Sequence, residues 1–183
     1  RRRGAVGGAM VPFAMLNSNK EFVSLNIKDP RGKALLEKMA AKADVLLENF
    51  APGVMNRLGL GPDRLMEINP RLVYAAGSGF GWSGPYRDFP AMDLTVQAIG
   101  GIMSTTGYPD RPPVKAGPAV CDFFGGVHLY GAVVTALFDR ERTGKGRFVE
   151  VSMLEAVYAS LSSALGLYFG SGGKAPMRTG NRH

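Results

Sequence analysis

Two apolar runs, Val45-Leu46-Leu47 and Leu72-Val73-Tyr74, each follow a segment with helical spacing, and that alternation constrains the fold more than any other feature. The runs are strand length and the segments between them are helix length. Strand–helix–strand units of this kind build a parallel sheet with right-handed crossovers and helical cover. The expected architecture is α/β, with ligands outside the carboxyl ends of the strands.

Local signals divide the chain further. Phe22 to Ile27 carries Val23, Leu25 and Ile27 at period two, which reads as a half-buried strand. Asp29-Pro30 opens a helix whose apolar stripe is Leu35, Leu36, Met39, Ala40 and Ala43. Val45 to Leu47 reads as a fully buried strand running into Glu48-Asn49-Phe50 and the turn at Pro52-Gly53. A short helical pattern at Val54 to Leu58 ends at Gly59 and Gly61, and a second begins at Pro62-Asp63 and stops at Asn69-Pro70. The turn-rich segment from Gly77 to Pro90 holds the one tryptophan, Trp82, and Asp93 is placed to cap a helix reaching about Met103. A long helical pattern runs from about Asp122 to Phe138, and the charged segment Asp139 to Gly146 reads as a turn. Phe148 to Val151 is a strand pattern, and Ser152-Met153-Leu154-Glu155 is a capping box opening the last helix.

Composition narrows the function classes. With 183 residues, 45% hydrophobic and 20% charged, the chain can bury a core without covalent staples. Cys121 has no second cysteine to pair with, which points to a reducing, cytoplasmic setting. The apolar stretch from Ala156 to Gly170 is broken by serines and too short to span a bilayer, and no secretory signal is expected, so no membrane partner is expected either. The net charge of +7 suggests nucleic acid until it is located: Arg1, Arg2, Arg3, Lys174, Arg178 and Arg182 supply six units and leave +1 for residues 4 to 173. A phosphate-tracking surface needs its charge on the folded body, so nucleic acid is not the expected partner.

No phosphate-loop or dinucleotide fingerprint occurs, and no Cys/His cluster with metal-ligand spacing. His128 reads as a helix residue bonded locally. Asp122 is different, since it lies at the start of the long helix, flanked by Val120, Cys121, Phe123 and Phe124 and followed by Gly125-Gly126. A carboxylate there either caps free N–H groups or serves as a nucleophile toward an activated acyl group. Paired glycines lower helix propensity, which makes sense where a ligand or another backbone must come close.

The motifs resemble one family, the class III CoA-transferases, which include formyl-CoA transferase, carnitine CoA-transferase and the α-methylacyl-CoA racemases. The resemblance is carried by Leu16-Asn17-Ser18-Asn19-Lys20, Glu48-Asn49-Phe50-Ala51-Pro52-Gly53 with Arg57 and Gly59, and Ile68-Asn69-Pro70-Arg71-Leu72. It continues through Gly79-Phe80-Gly81, Gly84-Pro85-Tyr86, Ser104-Thr105-Thr106-Gly107, Asp122 with its glycines, and Arg140 to Gly146. These segments keep the family's order over about residues 13 to 183.

The resemblance implies a Rossmann-like large domain, incomplete at both ends, from proteins roughly twice this long that form interlocked homodimers. On that basis residues 1–12 are expected to be a flexible end, 13–171 the large-domain portion, and 172–183 a linker toward a small domain. Asp122 matches the family's catalytic nucleophile, which forms an aspartyl anhydride and then an aspartyl-CoA thioester. Asn49, Phe50 and Arg57 match residues lining the CoA site, with Val54 on the same turn. CoA and its acyl thioester are then substrates, alongside a small carboxylic acid, and neither a permanent cofactor nor a metal is implied.

The sequence departs from the family at the acyl pocket. Met92 stands where the racemases have a histidine, so racemase or epimerase chemistry lacks one acid/base group. Pro12 and Met92 stand where formyl-CoA transferase has tyrosines, and Pro90 where it has a CoA-contacting lysine. Asp93 matches an acidic residue near the nucleophile. A non-catalytic CoA-binding or dimerisation fragment is the remaining alternative.

Overall fold

A computed structural model describes residues 5–6 and 9–182. Two short strands, β1 (Ala5–Val6) and β2 (Ala9–Met10), pair antiparallel ahead of helix α1 (Val11–Asn17). The expectation of a flexible end over residues 1–12 falls partly on residues outside the described ones.

The central sheet is parallel. Strands β3 (Val45–Glu48), β4 (Val73–Ser78) and β5 (Phe148–Ser152) lie in the order β3-β4-β5, with Leu46 opposite Tyr74 and Tyr74 opposite Phe148. Helices α2 (Pro30–Ala40), α3 (Val54–Arg57) and α4 (Pro62–Ile68) link β3 and β4 into the structure. Their apolar sides meet one face of the sheet in a core of Ala40, Met55, Leu60, Leu65, Leu72, Tyr74 and Ala76. Each fully buried leucine there contributes about 2 kcal/mol by leaving water.

Helices α5 (Asp93–Ile99) and α6 (Ile102–Thr105) lead to the long helix α7 (Val120–Thr143), which covers the opposite face of β4 and β5. After β5, α8 (Met153–Tyr158), a 3-10 turn (Ala159–Leu161) and α9 (Ser162–Gly170) complete the regular structure. A second core joins these elements through Val96, Cys121 and Val157. Residues 171–182 are turns and irregular chain; Arg178 donates to the carbonyls of Tyr108 and Arg111, and Gly180 N–H to the Gly107 carbonyl.

The α/β expectation holds, and so do most element positions. Asp29 caps α2 by accepting the Arg31 N–H at 2.9 Å, and Ser152 caps α8 by accepting the Glu155 N–H at 3.1 Å. Four local expectations change. Phe22 to Ile27 forms no strand: its Asn26 carbonyl sits against Gly32 in the first turn of α2, so the segment packs on a helix rather than on a sheet edge. Strand β3 is not fully buried, because it is the edge of the described sheet; Leu46 and Glu48 face the core while Leu47 stays 61% exposed. The helix from Asp93 breaks at Gly100-Gly101, where Gly101 takes φ +93° and a Cβ on Gly100 would press on Val157 and Leu154. The charged segment after Phe138 stays helical to Thr143 and turns only at Gly144, φ +72°.

By length and composition α7 is also the one helix among the described residues able to cross a bilayer, a property not expected from the Ala156–Gly170 stretch. Its buried stripe, Cys121, Gly125, Leu129, Ala136 and Arg140, packs against the sheet and neighbouring helices.

Candidate active site

Helix α7 runs antiparallel to the strands it covers. Near its end, the Arg140 guanidinium donates to the carbonyls of Asp44, directly before β3, and Arg71, two residues before β4. Near its middle, Leu129 meets Gly77 at the far end of β4, and a Cβ on Gly77 would stand 3.4 Å from it. Asp122 lies seven residues earlier, about 10 Å further along the axis. That places it past the carboxyl edge of the sheet, the side on which open α/β sheets bind ligands.

The expected CoA-site residues stand at the same edge. Asn49 follows β3 directly and contacts the Gly77 position from the other side, its Cβ 4.0 Å from where a Gly77 Cβ would stand. Phe50, 48% exposed, projects from the same turn, and Val54 and Arg57 belong to the helical turn that follows. This loop is held from beneath: the Glu48 carboxylate accepts the Phe50 N–H at 2.7 Å while only 7% exposed. Burial raises the Glu48 carboxyl above the usual range, and the Phe50 N–H and the Tyr74 hydroxyl work against that rise. Arg57 folds back over Gly53, φ +79°, where the Arg87 guanidinium also arrives.

Asp122 is exposed, and its carboxylate makes no hydrogen bond among the described residues. It lines a depression of about 430 Å³ with Leu16, Phe123, Gly126, Val127 and Tyr130. Asn49, Phe50, Val54 and Arg57 are not among the lining residues, so the two expected groups share an edge of the sheet but not one enclosed cleft.

Asp122 is not the cap of its helix. The N-cap is Ala119, which supplies no side-chain acceptor, and the acceptor comes from Asp93 instead. Asp93 Oδ1 accepts the N–H of Cys121 at 2.8 Å and of Asp122 at 3.3 Å. Its Oδ2 accepts from Gln97 Nε2 at 2.6 Å, and Gln97, fully buried, accepts the Ala116 N–H at 2.8 Å. Asp93 therefore caps α7 rather than its own helix, whose N-cap is Met92, 72% exposed. Partial desolvation first, and the Asp93 carboxylate second, hold the Asp122 carboxyl above the usual range. Burial, then Asp93 and Asp122, push the Cys121 thiol up to about 11, which keeps it protonated and unreactive.

The glycine pair separates into two roles. Gly125 is buried where α7 crosses α8, and a Cβ there would stand 3.0 Å from Met153 Cγ. Gly126 faces open space and lines the Asp122 depression. His128 bonds the Phe124 carbonyl at 2.8 Å, as its local reading implies. Gln97 was not singled out from sequence, although its i+4 spacing from Asp93 is the signal for such a pair. Leu16 entered only as the first residue of a resemblance segment, and Tyr130 had no signal. No group of three or more potential metal ligands occurs among the described residues.

A parallel three-stranded sheet flanked by helices defines an α/β protein, and Asp122 lies beyond the carboxyl edge of that sheet. The model of CoA-transferase family III matches residues 1–183, and the chain belongs to that family. It is 48% identical over 179 residues to acetyl-CoA:oxalate CoA-transferase of Acetobacter aceti, covering 97% of this chain and 46% of that protein. It is 47% identical over 145 residues to formyl-CoA:oxalate CoA-transferase of Streptomyces avermitilis, covering 79% of this chain and 35% of that protein. A solved CAIB/BAIF family protein from Brucella suis superposes with a TM-score of 0.83 at 38% identity, covering 88% of this chain and 42% of that one. Rv3272 from Mycobacterium tuberculosis superposes at 0.78 with 33% identity, covering 84% and 42%. The chain thus spans less than half the length of these relatives.

Proposed function

We propose that this chain supplies the nucleophile-bearing part of an enzyme that moves CoA from an acyl-CoA thioester to a carboxylic acid. The observation that carries the reading is Asp122: an unbonded carboxylate, beyond the sheet's carboxyl edge, in a chain of this family. The names of both relatives put oxalate opposite an acyl-CoA, and oxalate is the acceptor proposed here.

In the proposed cycle an Asp122 oxygen attacks the thioester carbon; the C–O bond forms, the C–S bond breaks, and CoA leaves as thiolate. The thiolate attacks Asp122 Cγ, releasing the donor acid as carboxylate and leaving an aspartyl-CoA thioester. The acceptor carboxylate attacks the same carbon and expels the thiolate, which then takes the acceptor acyl group and frees Asp122. No net proton or electron moves, and each step trades one activated acyl bond for another. Asn49, Phe50, Val54 and Arg57 are proposed to hold CoA, the ring packing on apolar or adenine surface and the guanidinium meeting phosphate.

The α7 face bearing Phe123, Val127, Tyr130, Val134 and Phe138 is exposed and apolar along its length. We assign it to contacts made in the assembled protein, including the second subunit of a homodimer, which light-scattering mass measurement on the complete natural protein checks. The chemical test is trapping: hydroxylamine added during turnover should leave a hydroxamate on Asp122. Full exchange activity in Asp122→Ala would sink the reading.

A further inference from the structure

We infer that Arg87 is a second anion-binding residue, which clamps a phosphate of the CoA nucleotide together with Arg57. The inference deepens the reading above and rests on it.

The two guanidinia reach the same point from different parts of the chain. Arg57 lies in the helical turn after Gly53, and Arg87 comes from the turn-rich segment after β4. A Cβ on Gly53 would stand 3.2 Å from Arg57 Nη1 and 3.6 Å from Arg87 Nη2. Gly53 answers both demands of that crossing, since it takes φ +79° and leaves space for two cations to pass over the backbone.

Like charges brought together repel, so a pair left without a carboxylate between them is oriented toward an anion that is not part of the chain. Arg57 has no acidic side chain within 4 Å among the described residues. Arg87 has only its neighbour Asp88, at 3.7 Å and 86% exposed, which solvent screens strongly. Both guanidinia stay accessible. Two forked donors converging on one point suit the three oxygens of a phosphate, which present more acceptors than one arginine satisfies. The point where they cross, Gly53, is three residues after Phe50, within reach of a nucleotide whose ring rests there.

CoA carries phosphate in two places, the diphosphate and the ribose 3′-phosphate, and both offer this chemistry. The experiment measures steady-state kinetics of the complete natural protein and its Arg87→Ala variant on three acyl donors: the CoA thioester, the dephospho-CoA thioester and the pantetheine thioester. On the CoA thioester, KM should rise about tenfold with kcat changed less than about twofold, as expected for one lost charge-assisted contact. On the pantetheine thioester, which has no nucleotide, that defect should disappear. A defect that also disappears on dephospho-CoA assigns the clamp to the 3′-phosphate, and one that persists assigns it to the diphosphate. Arg87→Lys should recover part of the loss, because it restores charge without the fork. Wild-type KM for the CoA thioester in Arg87→Ala overturns the clamp, as does an equal defect on all three donors. A wild-type protein that turns over none of the three overturns the underlying reading as well.

Discussion

Asp93 Oδ1 accepts the backbone N–H of Asp122 at 3.3 Å, so one carboxylate anchors the main chain of the other and also sets part of its charge environment. Asp93→Asn separates these effects, because an amide oxygen can still accept from Cys121 and Asp122 while the charge is gone. Asp93 raises the Asp122 proton affinity, so neutralising it lowers that affinity and keeps Asp122 ionised to more acidic pH. The acid limb of kcat/KM in the complete protein should move to lower pH in Asp93→Asn. A limb that stays in place or moves upward contradicts the coupling.

Asp93→Ala removes the cap as well as the charge. Three hydrogen bonds end on this carboxylate, including the one from buried Gln97. Loss of a cap costs about 1–2 kcal/mol, and stranding buried Gln97 adds to it. Chemical denaturation should therefore rank stability as wild type, then Asp93→Asn, then Asp93→Ala.

Gly125 and Gly126, adjacent in sequence, should respond oppositely to alanine. At Gly125 a methyl group meets Met153 Cγ at 3.0 Å in the α7–α8 contact, and overpacking of this kind costs about 1–3 kcal/mol. At Gly126 nothing stands within 4 Å, and alanine gains about 1 kcal/mol of helix propensity. The same Gly126 methyl group enters the depression beside Asp122, so acyl transfer should fall while the melting temperature rises. Two substitutions that shift stability in the same direction would refute the division of roles.

Where the sequence misleads, longer-range contacts decide. The apolar runs at Val45 and Leu72 and the caps at Asp29 and Ser152 were legible because each depends on neighbours within a few residues. Period two at Val23, Leu25 and Ile27 was real but did not make a strand, since only a partner strand converts alternation into a ladder. Asp93 read as the cap of its own helix, because no local pattern reveals that its acceptor reaches a helix 28 residues away. Asp122 stood out through its apolar flanks and paired glycines. The convergence of Arg57 and Arg87 on Gly53 left no sequence trace, since it arises only where two loops cross.

Glu48 makes stability depend on pH in a definite direction. Burial raises its carboxyl above the ordinary range, so the folded protein holds this proton more tightly than the unfolded chain does. At acidic pH both states are protonated and Glu48 costs nothing; as pH rises through the carboxylate range, ionisation opposes folding. Glu48→Gln keeps an acceptor for the Phe50 N–H without the charge. The stability advantage of Glu48→Gln over wild type should grow between pH of about 4 and about 7. A constant difference across that interval would show that the Glu48 charge carries no folding penalty.

Arg140 ties the opposite end of α7 from Asp122 to the sheet, through two backbone carbonyls and the Asp44 carboxylate. The side chain is 9% exposed, whereas its partner Asp44 is 79% exposed, so the ion pair at 2.9 Å is largely screened on one side. The donations to the backbone of Asp44 and Arg71 are part-buried and tie the starts of two strands to the helix. Asp44→Asn should therefore change stability by less than about 1 kcal/mol. Arg140→Ala takes the side-chain donor from the Arg71 carbonyl, while the Asp44 carbonyl keeps the Val73 N–H, and it removes buried packing, for a loss of about 2–4 kcal/mol. Arg140→Lys should fall between, since Nη1 alone reaches both carbonyls and an ammonium keeps that charge but loses the Nη2 bond to the Asp44 carboxylate and the planar packing. Equal losses in Asp44→Asn and Arg140→Ala would instead assign the anchor to the ion pair.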